Sequence, residues 1–377
     1  MTTPSITSNN NLPMVGILGD GQLAMMMAQA YQALGGKVAV FGESDSGPAS
    51  QVADTLFVGN PNELADLEGF FNACDVVTLE NEFNDSRILG LASAQCNTPV
   101  LPDPSKFGLI EDKLSEKQFF AEQGANLADF FEVKAESDLV DAQGYLKIAK
   151  GGYDGLGTYR VNNKDEALEI YQKIKSSGKI LFEHAIAFKK ELSLIAVANT
   201  NEIVFYPMVE THQEHGTCRY VTFPAGISNE IEQQAQTQVA AILKKLDTCG
   251  LFAFEFFLTQ SDELIINESA PRPHNSGHIT LDLNDCSQFE NHMRSIAGLT
   301  LVKPKVLHDS MTMINLLGTK NADFNADKLL SDIDDPESST TLYRKSQSRV
   351  KRKMGHINIW GANQEQRAEK LVQNLEV

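Results

Sequence analysis

Residues 251–268 read Leu-Phe-Ala-Phe-Glu-Phe-Phe-Leu-Thr-Gln-Ser-Asp-Glu-Leu-Ile-Ile-Asn-Glu, two apolar runs that each carry one glutamate and are joined by a polar turn. Apolar runs of this length on either side of a turn predict a β-hairpin. Pairing sets Leu258 opposite Leu264 and brings Glu255 within about one residue of Glu268. We therefore expect two carboxylates to converge on neighbouring buried strands.

A converging pair of buried carboxylates needs positive charge, because a buried carboxylate that is neither protonated nor paired is strongly unfavourable. Oxygen ligands that leave positions open for substrate phosphates are typical of a magnesium site, here formed by Glu255 and Glu268. The structural alternative is that each glutamate meets its own Arg or Lys. Residues 269–278 follow directly, and their hydrogen-bonding side chains with Pro271 and Pro273 are typical of a preorganised binding loop.

A glycine-rich segment, residues 151–157, comes just after an apolar strand that carries Lys147. Such a segment suits a mobile hairpin whose backbone amides contact phosphates while the lysine holds a phosphate oxygen. It is not a Walker A motif, because the Gly-Lys-Ser/Thr ending is missing. A flexible hairpin without a ligand is the alternative, and the second lysine, Lys150, favours a polyphosphate.

The first third of the chain alternates short apolar runs with helical patterns, which predicts a parallel sheet with crossover helices. Strands are expected at Met14 to Leu18 and Lys37 to Phe41, with a helix from Gln22 to about Leu34 between them. Gly19-x-Gly21, with Glu43 after the second strand, is roughly the dinucleotide-binding arrangement. A bare structural turn and a different anionic ligand are the other interpretations.

A local reversal of charge lies near the C-terminus. The chain has 32 Lys and Arg against 50 Asp and Glu, a formal charge of −18, yet six of its basic residues lie between Arg344 and Lys353. Basic runs form a solvated face, a nucleic-acid patch or, as a third possibility, a pocket for one phosphate monoester. The acidic balance of the whole chain argues against general nucleic-acid or anionic-membrane binding.

Composition limits the class of protein. With 377 residues and 42% apolar residues the chain can fill two or three domain cores, and it contains no apolar run long enough to span a membrane. The five cysteines are scattered without a Cys-x-x-Cys pair, which indicates a reducing cytoplasm.

A further helix is expected from Ser105, with Lys113 and Lys117 on one side.

Taken together, these motifs resemble the family of N(5)-carboxyaminoimidazole ribonucleotide synthases in the ATP-grasp superfamily. The resemblance runs in order from about Met14 to His356 and rests most specifically on the stretch from Asn267 to His278. The matching pieces are Gly21-Gln22-Leu23, Asp112-Lys113-x-x-x-Lys117, Gly151-Gly152-Tyr153-Asp154-Gly155, Asn267-Glu268-x-Ala270-Pro271-Arg272-Pro273-His274-Asn275-Ser276-Gly277-His278, Ser287-Gln288-Phe289-Glu290 and Arg352-Lys353-Met354-Gly355-His356.

The resemblance implies an α/β and α+β chain with an ATP-grasp fold. Residues 1–11 are expected to be a disordered tail, residues 12–104 a Rossmann-like domain, residues 105–310 the ATP-grasp domain with a glycine-rich lid at about 135–182, and residues 311–377 a compact C-terminal region. The implied reaction, part of de novo purine synthesis, uses ATP and magnesium to convert bicarbonate to carboxyphosphate and to carboxylate 5-aminoimidazole ribonucleotide. A cytoplasmic homodimer that binds neither nucleic acid nor membrane is expected.

The resemblance also assigns roles to positions. Catalytic roles fall on Tyr153, Arg272 and His278, and metal binding on Glu255 and Glu268. The ATP site is expected to consist of Lys113, Lys147, Gly152, Gly155, Glu183, Ile186, Glu191 and Asn267. The ribonucleotide site is expected to consist of Gln22, Leu23, Glu80, Asn275, Ser276, Lys345 and Arg352, with the last two on the phosphate.

Some positions depart from the family's pattern. The lid usually carries Lys or Arg where this chain has Leu156, which either lowers activity or is offset by Lys150. Other departures are Ala24-Met25, Gln213 and Val350-Lys351. The competing hypotheses are therefore another ATP-grasp carboxylate–amine ligase with a different acceptor and a catalytically silent nucleotide-binding protein.

Overall fold

The computed structural model describes residues 12–151, 157–214 and 216–374 of the chain. The expected tail, residues 1–11, lies outside the described residues. So do Gly152, Tyr153, Gly155 and Leu156 of the glycine-rich segment.

The N-terminal part is a parallel sheet with helices packed on it, as the alternating pattern predicts. Its strands pair in the order β3-β2-β1-β4, and the buried faces of β1 and β2 contribute Val15, Ile17, Val38 and Val40 to the core. Parallel pairing places the carboxyl ends of these strands, and the turn after β1, at one edge. The elements are β1 (Met14–Leu18), α1 (Gln22–Ala33), β2 (Lys37–Gly42), β3 (Thr55–Val58), α2 (Leu64–Asn72), β4 (Val76–Leu79) and α3 (Ser86–Cys96).

The connection to the central part differs from the single helix expected from Ser105. Helix α4 (Pro104–Glu111) ends, and α5 (Lys113–Glu122) begins directly after Asp112. Asp112 has an extended backbone, and its side chain accepts a hydrogen bond from the Ser115 amide at 2.9 Å. An aspartate in this position is an N-cap, so it starts a new helix and places Lys113 in the first turn.

A separate antiparallel sheet lies in the part of the chain where the lid is expected, and we refer to it as the lid. Strands β5 (Phe130–Glu132), β6 (Gly144–Ile148), β7 (Thr158–Val161) and β8 (Ile180–His184) pair in the order β5-β8-β6-β7, and helix α6 (Lys164–Ile174) covers them. Leu146, Val161 and Phe182 form the core of this unit with residues of α6. Strands β6 and β7 pair from Gly144↔Val161 to Lys147↔Thr158, so the glycine-rich segment connects two strands of a hairpin.

The largest sheet runs through the central and C-terminal parts in the order β14-β13-β9-β11-β12-β15-β19-β17, with β10 on β9. The expected boundary at residues 310/311 therefore lies inside one continuous sheet, because β12 pairs with β15. The central elements are β9 (Phe188–Ala198), β10 (Ile203–Phe205), β11 (Val209–Glu214), β12 (Thr217–Phe223), α7 (Asn229–Leu246), β13 (Gly250–Thr259), β14 (Leu264–Ala270), a 3₁₀ turn (Asn275–Ile279), α8 (Thr280–Leu283) and α9 (Gln288–Ile296). The C-terminal ones are β15 (Met311–Leu317), β16 (Ala322–Asp323), α10 (Ala326–Asp332), β17 (Ser338–Leu342), β18 (Gln347–Ser348), β19 (Lys353–Trp360) and α11 (Gln364–Asn374).

Helix α7 covers the hairpin that opened the sequence analysis. Ser228 caps it, and its apolar residues recur every three or four positions, including Ile231, Ala235 and Val239. This face packs on Phe252 and Phe254 of β13, which fixes the hairpin rigidly in the core. Over the described ranges, no helix combines the length and apolar character that crossing a membrane requires.

Candidate active site

A cleft of about 910 Å³ opens between the N-terminal part, the lid and the large sheet. It brings together residues that are up to 331 positions apart in the chain, from Gln22 to Lys353. Of the predicted site residues, those that line it are Gln22, Leu23, Glu80, Lys113, Lys147, Glu183, Ile186, Glu191, Glu255, Asn267, Glu268, Arg272, Asn275 and His278. Ser276 and Lys345 are instead hydrogen-bonded to other side chains around the cleft, and Arg352 lies farther along the basic segment.

The hairpin of β13 and β14 has the expected register. Leu258 pairs with Leu264, and Glu255 is the direct partner of Glu268, with a β-bulge just after Glu255. Burial, reinforced by the charge of Glu268, raises the pKa of Glu255. The charge of Lys113 lowers the pKa of Glu268 despite its burial. The carboxylates thus converge but are not equivalent.

One of the two glutamates, Glu268, forms the ion pair that the structural alternative predicts. Lys113 Nζ lies 2.5 Å from Glu268 Oε2. Glu255 Oε1 lies 3.5 Å from the ring of His274, and burial lowers the pKa of that histidine to about 3, so the ring is neutral. The charges of Lys113 and Arg272 partly oppose the rise in the pKa of Glu255, so positive charge also acts on this carboxylate.

The residues fit a magnesium ion that keeps several open positions. Burial raises the pKa of Glu255, so a cation bound at this carboxylate would stabilise its charged form, and carboxylate oxygens are suitable ligands. Within the described ranges no group of three or more His, Cys, Asp or Glu converges on one point, so the protein offers only a partial set of ligands. Substrate phosphates and water commonly complete such a site.

A buried trio of charged side chains joins the lid to the core. Lys147 Nζ is 2.8 Å and Lys117 Nζ 3.2 Å from Glu183 Oε2. Burial opposes ionisation of Glu183, but the two lysines outweigh it and lower the pKa of this carboxyl group. The Glu183 carboxylate, which was predicted to lie at the nucleotide, is therefore ion-paired with two lysines. Lys117 was not assigned a role from the sequence.

The lining toward the far side of the lid is largely apolar. The rings of Phe188 and Phe257 stack with centroids 4.6 Å apart, next to Ile186 and Glu191. Burial raises the pKa of Glu191. A flat apolar wall beside a carboxylate suits a base and a hydroxylated sugar.

The backbone amides of the turn after β1 donate hydrogen bonds to a carboxylate of the same chain. Glu80, at the end of β4, accepts hydrogen bonds from the amides of Gly21 (2.7 Å), Leu23 (3.2 Å) and Ala24 (3.4 Å). Burial raises the pKa of Glu80, and these amides partly offset that effect. The Glu80 carboxylate occupies the amides that a dinucleotide pyrophosphate would need, which contradicts the dinucleotide interpretation.

The basic segment reaches the same end of the cleft. Lys345 Nζ donates to Gln22 Oε1 and to the Lys353 carbonyl, both at 2.8 Å. Burial, with the nearby charge of Arg352, lowers the pKa of Lys345 to about 8. Arg352 donates to the Gln347 carbonyl at 2.7 Å. A partly desolvated cation beside Gln22 suits one phosphate group better than a nucleic-acid backbone.

The loop after β14 is held by buried polar contacts that the sequence did not reveal. Arg272 makes two hydrogen bonds to Glu82, one of them at 2.9 Å from Nη2 to Oε1, and this charge lowers the pKa of Glu82 against the effect of burial. Asn275 and Asn315 exchange amide hydrogen bonds at 2.8 and 2.7 Å. Glu82 could have been suspected from its place just after Glu80, whereas nothing in the sequence marks Asn315.

Two of the predicted residues of this loop are almost completely buried. The hydroxyls of Ser276 and Ser193 are 2.7 Å apart. The ring of His278 lies 5.0 Å from that of His356, and burial holds the pKa of His278 well below its usual value. His278 is therefore a neutral ring at the inner wall of the cleft.

Comparison with known proteins gives matches along nearly the whole chain. Residues 12–111 match the ribonucleotide synthetase preATP-grasp domain, residues 118–289 the ATP-grasp domain, and residues 311–370 the phosphoribosylaminoimidazole carboxylase C-terminal domain. The N5-carboxyaminoimidazole ribonucleotide synthase of Staphylococcus saprophyticus is 32% identical over 96% of both chains. That of Bacillus subtilis is 34% identical over 92% of this chain and 90% of its own.

Solved structures agree with the sequence matches. The Staphylococcus aureus N5-carboxyaminoimidazole synthetase complexed with ADP superposes with a TM-score of 0.89 at 29% identity, covering 99% of this chain and 100% of that chain. The Aspergillus clavatus enzyme in complex with ADP and 5-aminoimidazole ribonucleotide gives 0.86 at 29% identity, covering 96% and 97%.

Proposed function

The chain belongs to the family of N5-carboxyaminoimidazole ribonucleotide synthases, ATP-grasp ligases that form a C–N bond, and we propose that bicarbonate, activated as carboxyphosphate, is the source of the carboxyl group that it adds to 5-aminoimidazole ribonucleotide at the expense of ATP. The observation that carries the proposal is the cleft itself. Glu255, Glu268, Lys113 and Lys147 line one part of it, and Glu80 and Gln22 line another, where Gln22 accepts a hydrogen bond from Lys345. The cleft can therefore hold a nucleotide and an acceptor at once.

The chemistry requires charge neutralisation. Bicarbonate is a poor electrophile, so transfer of the γ-phosphoryl group of ATP to its oxygen supplies a leaving group and releases ADP. The amine of the ribonucleotide then attacks the carboxyl carbon, phosphate leaves, and the amine loses a proton. Lys113 and Lys147, which line the cleft, are the proposed residues that stabilise the negative charge on the transferring phosphoryl group.

Magnesium, when bound by Glu255 and Glu268, would supply further positive charge at the phosphates. Toward the far side of the lid, the backbone at Ile186 and Glu183 is the proposed contact for adenine, and Glu191 for the ribose hydroxyls. Asn267 completes the proposed ATP site, together with Gly152 and Gly155 of the lid.

At the acceptor end, Gln22, Leu23, Glu80 and Asn275 are the proposed contacts for the base and ribose. Lys345 and Arg352 would bind the phosphate of the ribonucleotide. Ser276, hydrogen-bonded to Ser193, would hold this loop in place. Tyr153, Arg272 and His278 are the proposed residues around carboxyphosphate, and closure of the lid would keep that labile anhydride from water.

We further propose that the chain works as a homodimer in the cytoplasm. The free cysteines at Cys74, Cys96, Cys218, Cys249 and Cys286 support the cytoplasmic location. The function is tested by phosphate release from ATP with defined substrates. Release should require bicarbonate and 5-aminoimidazole ribonucleotide together, and formate with glycinamide ribonucleotide should give none. Release with the second pair only would assign the chain to a different carboxylate–amine ligation.

A further inference from the structure

One carboxylate group, that of Glu183, serves two buried ammonium groups. Lys147 and Lys117 both contact Glu183 Oε2, at 2.8 and 3.2 Å. Lys117 is 2% exposed and Glu183 is 3% exposed, so solvent screens these charges very little. With both lysines and the glutamate ionised, the trio carries one excess positive charge. Burial lowers the pKa of Lys117, and the charge of Glu183 opposes this shift.

The two lysines differ in where they can go. Lys147, on lid strand β6, lines the cleft and can turn toward a ligand. Lys117, on helix α5, lies behind the lining, and its Nζ also donates to the Asn267 carbonyl at 2.9 Å. Asn267 directly precedes Glu268, so Lys117 is fastened to the strand that carries the proposed metal ligand.

We propose that Lys117 is a positioning residue: it is the permanent counter-ion of Glu183, and it allows Lys147 to leave this carboxylate for the phosphates of ATP. The inference rests on the proposed role of Lys147 in phosphate binding. If Lys147 were the only partner of Glu183, its departure would strand an ionised carboxylate in the interior, which is strongly unfavourable. With Lys117 in place the carboxylate stays paired throughout.

The consequence of losing Lys117 follows directly. Lys147 and Glu183 then form a neutral pair that holds itself together, and ATP must compete with Glu183 for the ammonium group. Neutralising Glu183 as well removes that competition and should restore the affinity for ATP. If Lys117 only filled space, neutralising Glu183 would not restore that affinity.

The test is binding of ATP with Mg²⁺, and of adenosine, to the full-length protein by titration calorimetry. Lys117→Met is expected to weaken ATP binding about tenfold or more, the effect of one charge-assisted hydrogen bond, and to leave adenosine binding unchanged. The double variant Lys117→Met/Glu183→Gln should regain most of the lost ATP affinity. Lys173→Met is the matched control, because this lysine is exposed on helix α6 and pairs only with Glu169 among its recorded contacts.

The inference is overturned if Lys117→Met binds ATP as the wild type does, or if the double variant binds as weakly as the single one. Should Lys117→Met fail to fold, as judged by its thermal unfolding, the double variant decides alone: near wild-type ATP affinity supports a counter-ion role and a large loss contradicts it. Lys147→Met tests the role of Lys147 in phosphate binding separately from the counter-ion role of Lys117. Unchanged ATP affinity in that variant would refute the proposed role of Lys147 and with it the inference.

Discussion

Lys113 Nζ lies 2.5 Å from Glu268 Oε2, on the very carboxylate that we assign to a magnesium ion. A lysine at this point supplies the positive charge that the paired glutamates need when no metal is bound. Because a metal and an ammonium group would repel each other there, metal binding should turn Lys113 toward the phosphates. The same residue thus fits both the ion-pair and the phosphate interpretations of the hairpin.

Glu268→Gln removes one ligand charge and keeps the shape of the side chain. We expect kcat to fall about a hundredfold or more, because electrostatic stabilisation of the phosphoryl group is the main catalytic contribution. Turnover measured across a magnesium titration checks this. Glu263→Gln, in the exposed turn of the same hairpin, should behave as wild type, and a fully active Glu268→Gln enzyme would refute the metal role.

Glu80→Gln tests the acceptor end. The amide can still accept hydrogen bonds from the start of helix α1, but the negative charge next to Gln22 and Lys345 is lost. We expect the KM for 5-aminoimidazole ribonucleotide to rise about tenfold and the KM for ATP to stay unchanged. Glu43→Gln, at the end of the neighbouring strand, is the control. An unchanged ribonucleotide KM in Glu80→Gln would remove this residue from the site.

Gly21→Ala tests how tightly the Glu80 carboxylate is enclosed. A Cβ atom at position 21 would collide with Glu80 Oε1, so the carboxylate must move away from the helix amides. The free energy of unfolding should fall by about 1–3 kcal/mol, and the reaction rate should no longer saturate with the ribonucleotide. Gly90→Ala meets no atom within 4 Å and should stabilise helix α3 by about 0.5–1 kcal/mol. Urea unfolding compares the two, and equal stability would contradict the enclosure.

The lowered pKa of Lys345 predicts that the KM for the ribonucleotide depends on pH. Its pKa is lowered to about 8, so the ammonium form that binds phosphate is complete below that pH and is lost as the pH rises through it. The KM for the ribonucleotide should therefore rise between about pH 7 and about pH 9. In Lys345→Arg the guanidinium stays charged, so its profile should be flat over this range. A flat profile in the wild type would mean that Lys345 does not contact the phosphate.

Local patterns predicted the elements on which the site is built. The register of Glu255 and Glu268 followed from two apolar runs and a turn, because side chains alternate along a strand. The first βαβ unit followed in the same way. Asp112 was the exception: its capping hydrogen bond splits a helix whose apolar pattern continues without a break.

Contacts between distant parts of the chain were not predictable. Gln22 and Lys345 are 323 positions apart, and their hydrogen bond depends on how the C-terminal sheet packs on the N-terminal part. Glu183 was assigned to the ATP site by the resemblance, and Lys117 was quoted only as part of a matching motif, so their contact was not predicted. The sharing of one carboxylate by two lysines arises from the packing of the lid on helix α5.

The central claim is tested most directly by following labelled bicarbonate into product while ADP is measured in the same reaction. Our account predicts one acid-labile carboxyl group on the ribonucleotide for each ADP formed, with neither product accumulating when ATP, bicarbonate or 5-aminoimidazole ribonucleotide is left out. ADP formation that proceeds without label in the ribonucleotide would contradict it.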